Sequence, residues 1–179
     1  MFGIQKIGAT MIILPSAYFG STEYWTAIVK GGEDTVIDLG ENYVKRSERN
    51  RTEIMTSGGV MQLSVQLAHA NRPRQAMRSM RIDYSKRWQH QHLVAMESAY
   101  RNSPYYDYFA DRFTPLFTKE WKWLVDLNMA TLEGVCSVLK IAVPRISEQY
   151  IVASEGDIDL RDKRRGSTFR AEPYIQVFD

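Results

Sequence analysis

The sequence predicts a single α+β domain, a mixed sheet of short strands packed against a helical segment at about residues 86–140. Three observations predict it. Short apolar runs, MIIL at Met11–Leu14 and TVIDL at Thr35–Leu39, sit between Pro and Gly residues that end strands. Two alternating arms, Arg51–Thr56 and Val60–Leu67, flank Ser57-Gly58-Gly59, which is a hairpin signature. Beyond residue 86 the apolar residues recur at helical spacing. The chain has 179 residues, 44% hydrophobic and 25% charged, which is ordinary globular composition with enough length for one core.

In order, residues 1–10 are expected to be a disordered extension, and Met11 is a candidate start for the single domain spanning 11–179. Met11–Leu14 is read as a buried strand ended by Pro15. Ser21 or Thr22 can cap a helix that runs to Lys30 and ends at Gly31-Gly32. Thr35–Leu39 follows as a strand, and the β–α–β order hints at a parallel pair. The densely charged ENYVKRSERNR (Glu41–Arg51) leads into the hairpin. Met80–Tyr84 alternates as a further strand. A central helix from Lys86 breaks near Pro104, and a second, aromatic helix at Tyr105–Phe113 breaks at Pro115. Glu120–Lys140 is the longest predicted helix. Gln149–Ala153 and YIQVF (Tyr174–Phe178) are strand candidates, separated by a charged, mobile loop from Glu155 to Gly166.

Several function classes lose support. A net charge of +2 is too small to argue for nucleic acid. One cysteine, Cys136, allows no intrachain disulfide and suits a reducing, cytoplasmic setting. The run at Met11–Leu14 is too short for a signal peptide or a membrane span. Walker, GxGxxG, GxSxG and CxxC patterns are absent, and no cofactor is expected.

The residues with chemical promise centre on WQHQHLVAMESAYRNSPYYDYF (Trp88–Phe109). At about 100° per residue, Trp88, His92, Ala95, Met96, Ala99 and Tyr100 share one face, while His90 falls near Glu97 on the other. His92 thus sits in an apolar face, where an imidazole needs a hydrogen-bond partner. Asn128 is the one polar residue on the apolar face of Glu120–Lys140, and it can partner His92 or share a ligand with it. The His90-x-His92 spacing does not favour a metal, because residues two apart on a helix point about 200° apart. In an extended Arg49-Asn50-Arg51, both guanidiniums share a face suited to a carboxylate or phosphate, with Glu41, Glu48 and Glu53 as alternative counter-charges. Lys163-Arg164-Arg165 would be a solvated loop or a lid over an anionic substrate.

In register, LPSAYFGSTEYW, ENYVKRSERNR, the Gly58-Gly59 turn with MQLSV, WQHQHLVAMESAYRNSPYYDYF, LVDLN and YIQVF resemble the WbqC-like protein family. That resemblance implies a soluble protein of O-antigen or related surface-polysaccharide synthesis, with an acyl or aminoacyl (glycine-type) transferase role suggested for the family. The family pattern falls on Tyr18, Glu41, Arg49, Asn50, Arg51, Trp88, His90, His92, Tyr100, Pro104 and Asn128. It usually continues past YIQVF with another apolar segment, whereas this chain stops at Asp179, so a truncated member is expected.

On that basis the implied substrates are a sugar or nucleotide sugar and an acyl or aminoacyl donor. His92 would act as general base toward an amine, with Glu41 orienting it. Arg49 and Arg51 would hold a phosphate or carboxylate, and Asn50 or Asn128 would donate to a developing oxyanion. The alternative is a non-catalytic sugar or nucleotide-sugar binding module, in which Trp88, Tyr100 and Tyr105 stack on the ligand. The bland alternative is that His92 and Asn128 merely satisfy each other.

Overall fold

The computed structural model describes residues 10–70 and 74–161. Its spine is a parallel sheet of four short strands. β1 (Ile12–Pro15) leads through α1 (Thr22–Gly31) to β2 (Thr35–Asp38), and the two strands pair in parallel from Ile12 opposite Thr35 to Pro15 opposite Asp38. Ser21 caps α1 through its side-chain oxygen, which accepts from the Tyr24 N–H. β5 (Arg145–Ser147) adds to the free edge of β2 and β6 (Ile158–Asp159) to that of β1, both in parallel, giving the order β5-β2-β1-β6. Every residue of β2 is buried, as a central parallel strand requires.

A separate antiparallel hairpin lies between, formed by β3 (Arg51–Thr56) and β4 (Gly59–Ser64). The β content is therefore mixed as two sheets, one parallel and one antiparallel. Thr52 and Ile54 point inward from β3, and Gly59 supplies the positive φ of the turn. The helices follow as α2 (Trp88–Tyr100), α3 (Tyr106–Thr118) and α4 (Leu124–Leu139).

α4 divides the interior. Leu124 and Leu127 face a core of Tyr18, Val65, Met77, Met80, Trp88 and Phe117. Val125, Leu132 and Cys136 face a second core of Leu14, Tyr24, Ile28 and Ile37. Cys136 is a small buried hydrophobe there.

Several expected elements differ. Residues 120–123 are extended rather than helical, because Arg81 bridges Trp123 and the Leu124 N–H donates to the Met80 carbonyl. Those contacts, with the Leu67–Ile82 bridge, leave Met80–Tyr84 in isolated bridges rather than a strand. Pro115 lies inside α3, not at its end. The helix continues because Leu116 and Phe117 beyond it are buried, and Thr114 Oγ1 donates back to the Ala110 carbonyl. The strand after Pro144 is Arg145–Ser147, not Gln149–Ala153, since the former pairs with β2. The loop expected from Glu155 contains β6. Most of the expected extension at 1–10, the YIQVF segment and Lys163-Arg164-Arg165 lie outside the described residues.

Gly40 follows β2 where the chain passes closest to a neighbour. A Cβ there would lie 2.0 Å from the Tyr150 nitrogen, whereas one at Gly58 would meet nothing nearer than Thr56 Oγ1 at 3.8 Å. Gly40→Ala is expected to cost about 1–3 kcal/mol in urea unfolding. Gly58→Ala should stay within about 0.5 kcal/mol.

Candidate functional site

The carboxyl ends of β1, β2 and β6 converge on a buried polar network, the place where open parallel sheets usually carry their function. From the segment after β2, Glu41 meets Arg49. The Arg49 Nε donates to Glu41 Oε1 at 2.9 Å and its Nη2 donates to Oε2, a two-pronged pair. Both side chains are almost wholly buried. Nη2 also donates to the Arg161 carbonyl at 3.0 Å. Burial pushes the Glu41 carboxyl up, opposed by the hydrogen bond and charge of Arg49.

Beside this pair, Arg161 donates to Asp38 and Asp159 and to the Ile151 carbonyl. Asp38 closes the end of β2, where its two oxygens also accept from the Gly40 and Ile151 N–H groups. Asp38, Asp159 and Arg161 were not anticipated from the sequence. The only signal was an acid ending an otherwise apolar strand, TVID.

Asn128 joins the network from α4. Its Nδ2 donates to the Arg49 carbonyl at 2.8 Å and to Ser16 Oγ at 3.4 Å, and its Oδ1 is buried without a partner. Asn50 bridges inward differently: Nδ2 donates to the Val65 carbonyl, and Oδ1 accepts from the Tyr43 hydroxyl.

His92 and Asn128 do not bond each other, so the alternative in which the two merely satisfy one another does not hold. His92 Nδ1 lies 2.9 Å from the Tyr18 hydroxyl, and the Ser64 main chain bonds the same ring. Trp88 and Phe117 contact the imidazole edge-to-face. Burial lowers its pKa to about 4 and raises that of Tyr18. His92 is therefore neutral at pH 7, with Nδ1 engaged by the Tyr18 hydroxyl.

The remaining residues lie outside these two groups of bonds. Arg51 is half-buried, its Nη1 donates to Gln62 Oε1 at 3.4 Å, and its Nε is buried with no partner. Gln75 Oε1 is likewise buried without a partner. The Tyr43 N–H donates to the Gln75 main-chain carbonyl, and the Arg51 charge acts on the Tyr43 phenol. Neither Tyr43 nor Gln75 stood out in the sequence. Exposed His90 lines a cleft of about 560 Å³ between the hairpin tip (Thr56, Ser57, Met61) and α2. Tyr100 lines a different cavity, between α2 and α3, and its hydroxyl oxygen accepts from the Met55 N–H at 3.1 Å. Trp88 is buried and carries an unpartnered Nε1. The structure thus gathers Tyr18, Trp88 and His92 in one place, and Glu41, Arg49, Asn50 and Asn128 in another. Arg51, His90 and Tyr100 are set apart from both.

Among the described residues, no group of three or more His, Cys, Asp or Glu could hold a metal ion. No helix among them is long and apolar enough to cross a membrane.

Two outcomes follow. By NMR, the His92 ring should remain neutral from pH 8 to about 5 and titrate near 4. The unfolded imidazole takes its proton at about 6.5, so stability is lost as pH falls from 6.5 toward 4, and His92→Gln should flatten that slope. Asn128→Ala should cost of order 1–3 kcal/mol in urea unfolding, because the buried Arg49 carbonyl loses its donor.

Comparison with known proteins agrees in extent with this arrangement. An uncharacterized protein of Mycobacterium tuberculosis, Rv1507c, is 30% identical over 131 residues. That match covers 73% of this chain and 56% of the relative, so the chain spans little more than half of that protein. No solved structure matches. The profile of the WbqC-like protein family matches residues 16–176, which include every residue of the network above, and the chain belongs to that family.

Proposed function

We propose that this chain binds a sugar or nucleotide sugar and takes part in acyl or aminoacyl transfer onto it, in O-antigen or related surface-polysaccharide synthesis. One observation carries the binding half. Within Arg49-Asn50-Arg51 the first guanidinium is consumed by Glu41 and the Arg161 carbonyl, whereas Arg51 keeps a desolvated Nε donor with no partner. A half-buried, unsatisfied guanidinium favours an anion, and its fork fits a phosphate or carboxylate. Gln75 Oε1, a second buried atom without a partner, suits a sugar hydroxyl. Family membership supports the polysaccharide setting.

For the transfer half, His92 is neutral and so in the protonation state of a general base. The buried bond between His92 and the Tyr18 hydroxyl and the Glu41–Arg49 pair favour a second reading, a binding module without turnover, in which His92 and Glu41 hold the fold.

A thermal-shift series separates these readings. A ligand at about 100 times its dissociation constant adds roughly 2.7 kcal/mol. A nucleotide sugar should raise Tm, and Arg51→Ala should abolish that rise while leaving the unliganded stability within about 0.5 kcal/mol. No shift with any nucleotide sugar, or an equal shift in Arg51→Ala, would overturn the anion site. Mass spectrometry after incubation with acyl and aminoacyl donors then decides turnover. A product that His92→Gln abolishes supports transfer, and binding without product supports the module.

A further inference from the structure

We infer that the cavity between α2 and α3 is a binding slot for a medium-chain acyl group. The cavity has a volume of about 240 Å³. Leu93 and Met96 line it from α2, and Phe109, Ala110, Phe113 and Phe117 line it from α3. On each helix these residues recur at spacings of three and four, the pattern by which packed helices normally close on each other. Here the two stripes face each other with a gap between them.

The size and surface select the occupant. An apolar cavity of about 150 Å³ accommodates a benzene ring, so this one takes a larger apolar group. Its inner wall is apolar and aromatic, which disfavours a bare sugar, whose hydroxyls would lose their water there. A flexible polymethylene chain suits a slot between two helices, and Met96 can adjust to it. Tyr100 and Ser103 add hydroxyls to this largely apolar lining, which fit the head of such a group. The Tyr100 oxygen already accepts the Met55 N–H, which leaves its O–H free to donate to an acyl carbonyl.

The slot adjoins the buried imidazole. Phe117, its deepest ring, stacks on Phe19 at 6.1 Å and meets His92 edge-to-face at 6.4 Å.

This inference gives the acyl group of the proposed transfer a place to sit, and so rests in part on that reading. Its test uses neutral probes that need no anion site: N-acetylcysteamine thioesters with chains of four to ten carbons, titrated by calorimetry. Affinity should rise about fourfold per added methylene and then level off as the slot fills. Ala110→Phe, which fills the slot, should lower octanoyl affinity at least tenfold, and Met96→Phe serves as a second filling variant if the first misfolds. Arg51→Ala should leave thioester binding unchanged, so the anion site and the slot can fail separately. Absence of binding at every chain length, affinity that ignores chain length, or affinity unaltered by both filling variants would overturn the slot.

Discussion

The buried ion pair between Glu41 and Arg49 is the interaction on which the rest of this structure depends. Two charges removed from water are expensive, and this pair survives because its geometry is two-pronged and Nη2 donates further to the Arg161 carbonyl. Arg49 thereby ties three separate parts of the chain together. Its guanidinium joins the segment after β2 to the main chain after β6, and its carbonyl receives Asn128 from α4. A second cluster beside it, Asp38, Asp159 and Arg161, repeats the logic at the strand ends themselves. Parallel strands this short bring few ladder hydrogen bonds, so charge-assisted bonds at their carboxyl ends contribute much of the sheet's definition.

This arrangement explains the division of labour among the polar residues. A buried histidine bonded to Tyr18 and an arginine locked on a carboxylate are positioned groups, and they tie α2, the segment after β2 and the sheet together. What remains open lies around that scaffold: Arg51 and Gln75 beside Tyr43, the cleft at His90, and the slot between α2 and α3. Buried, hydrogen-bonded side chains of this kind fix the positions of the groups around them.

Much of this was legible in the sequence. Apolar runs bounded by Pro and Gly gave the β1–α1–β2 unit, and Ser57-Gly58-Gly59 gave the hairpin. Helical spacing placed His92 and Asn128 on inward faces, because a polar residue in an apolar stripe is visible at once. Their partners were not legible. Tyr18 is 74 residues from His92, and Asn128 finds a main-chain carbonyl 79 residues away, so no local pattern encodes either bond. The start of α4 was missed because residues 120–123 are captured by long-range bridges that override helix propensity. Pro115 misled in the opposite direction, since tertiary burial of Leu116 and Phe117 carried the helix past it. Asp38 and Arg161 gave little warning, as a single charge beside a short strand usually reads as solvated.

The most direct test compares the two arginines of the Arg49-Asn50-Arg51 triplet. Urea unfolding of Arg49→Met should show a loss of about 3–5 kcal/mol, because a buried carboxylate is left unpaired. Arg51→Met, on the open side of the same triplet, should change stability by no more than about 0.5 kcal/mol. Equal costs at the two positions, or a stable Arg49→Met protein, would contradict the claim that one arginine holds the fold and the other faces the ligand.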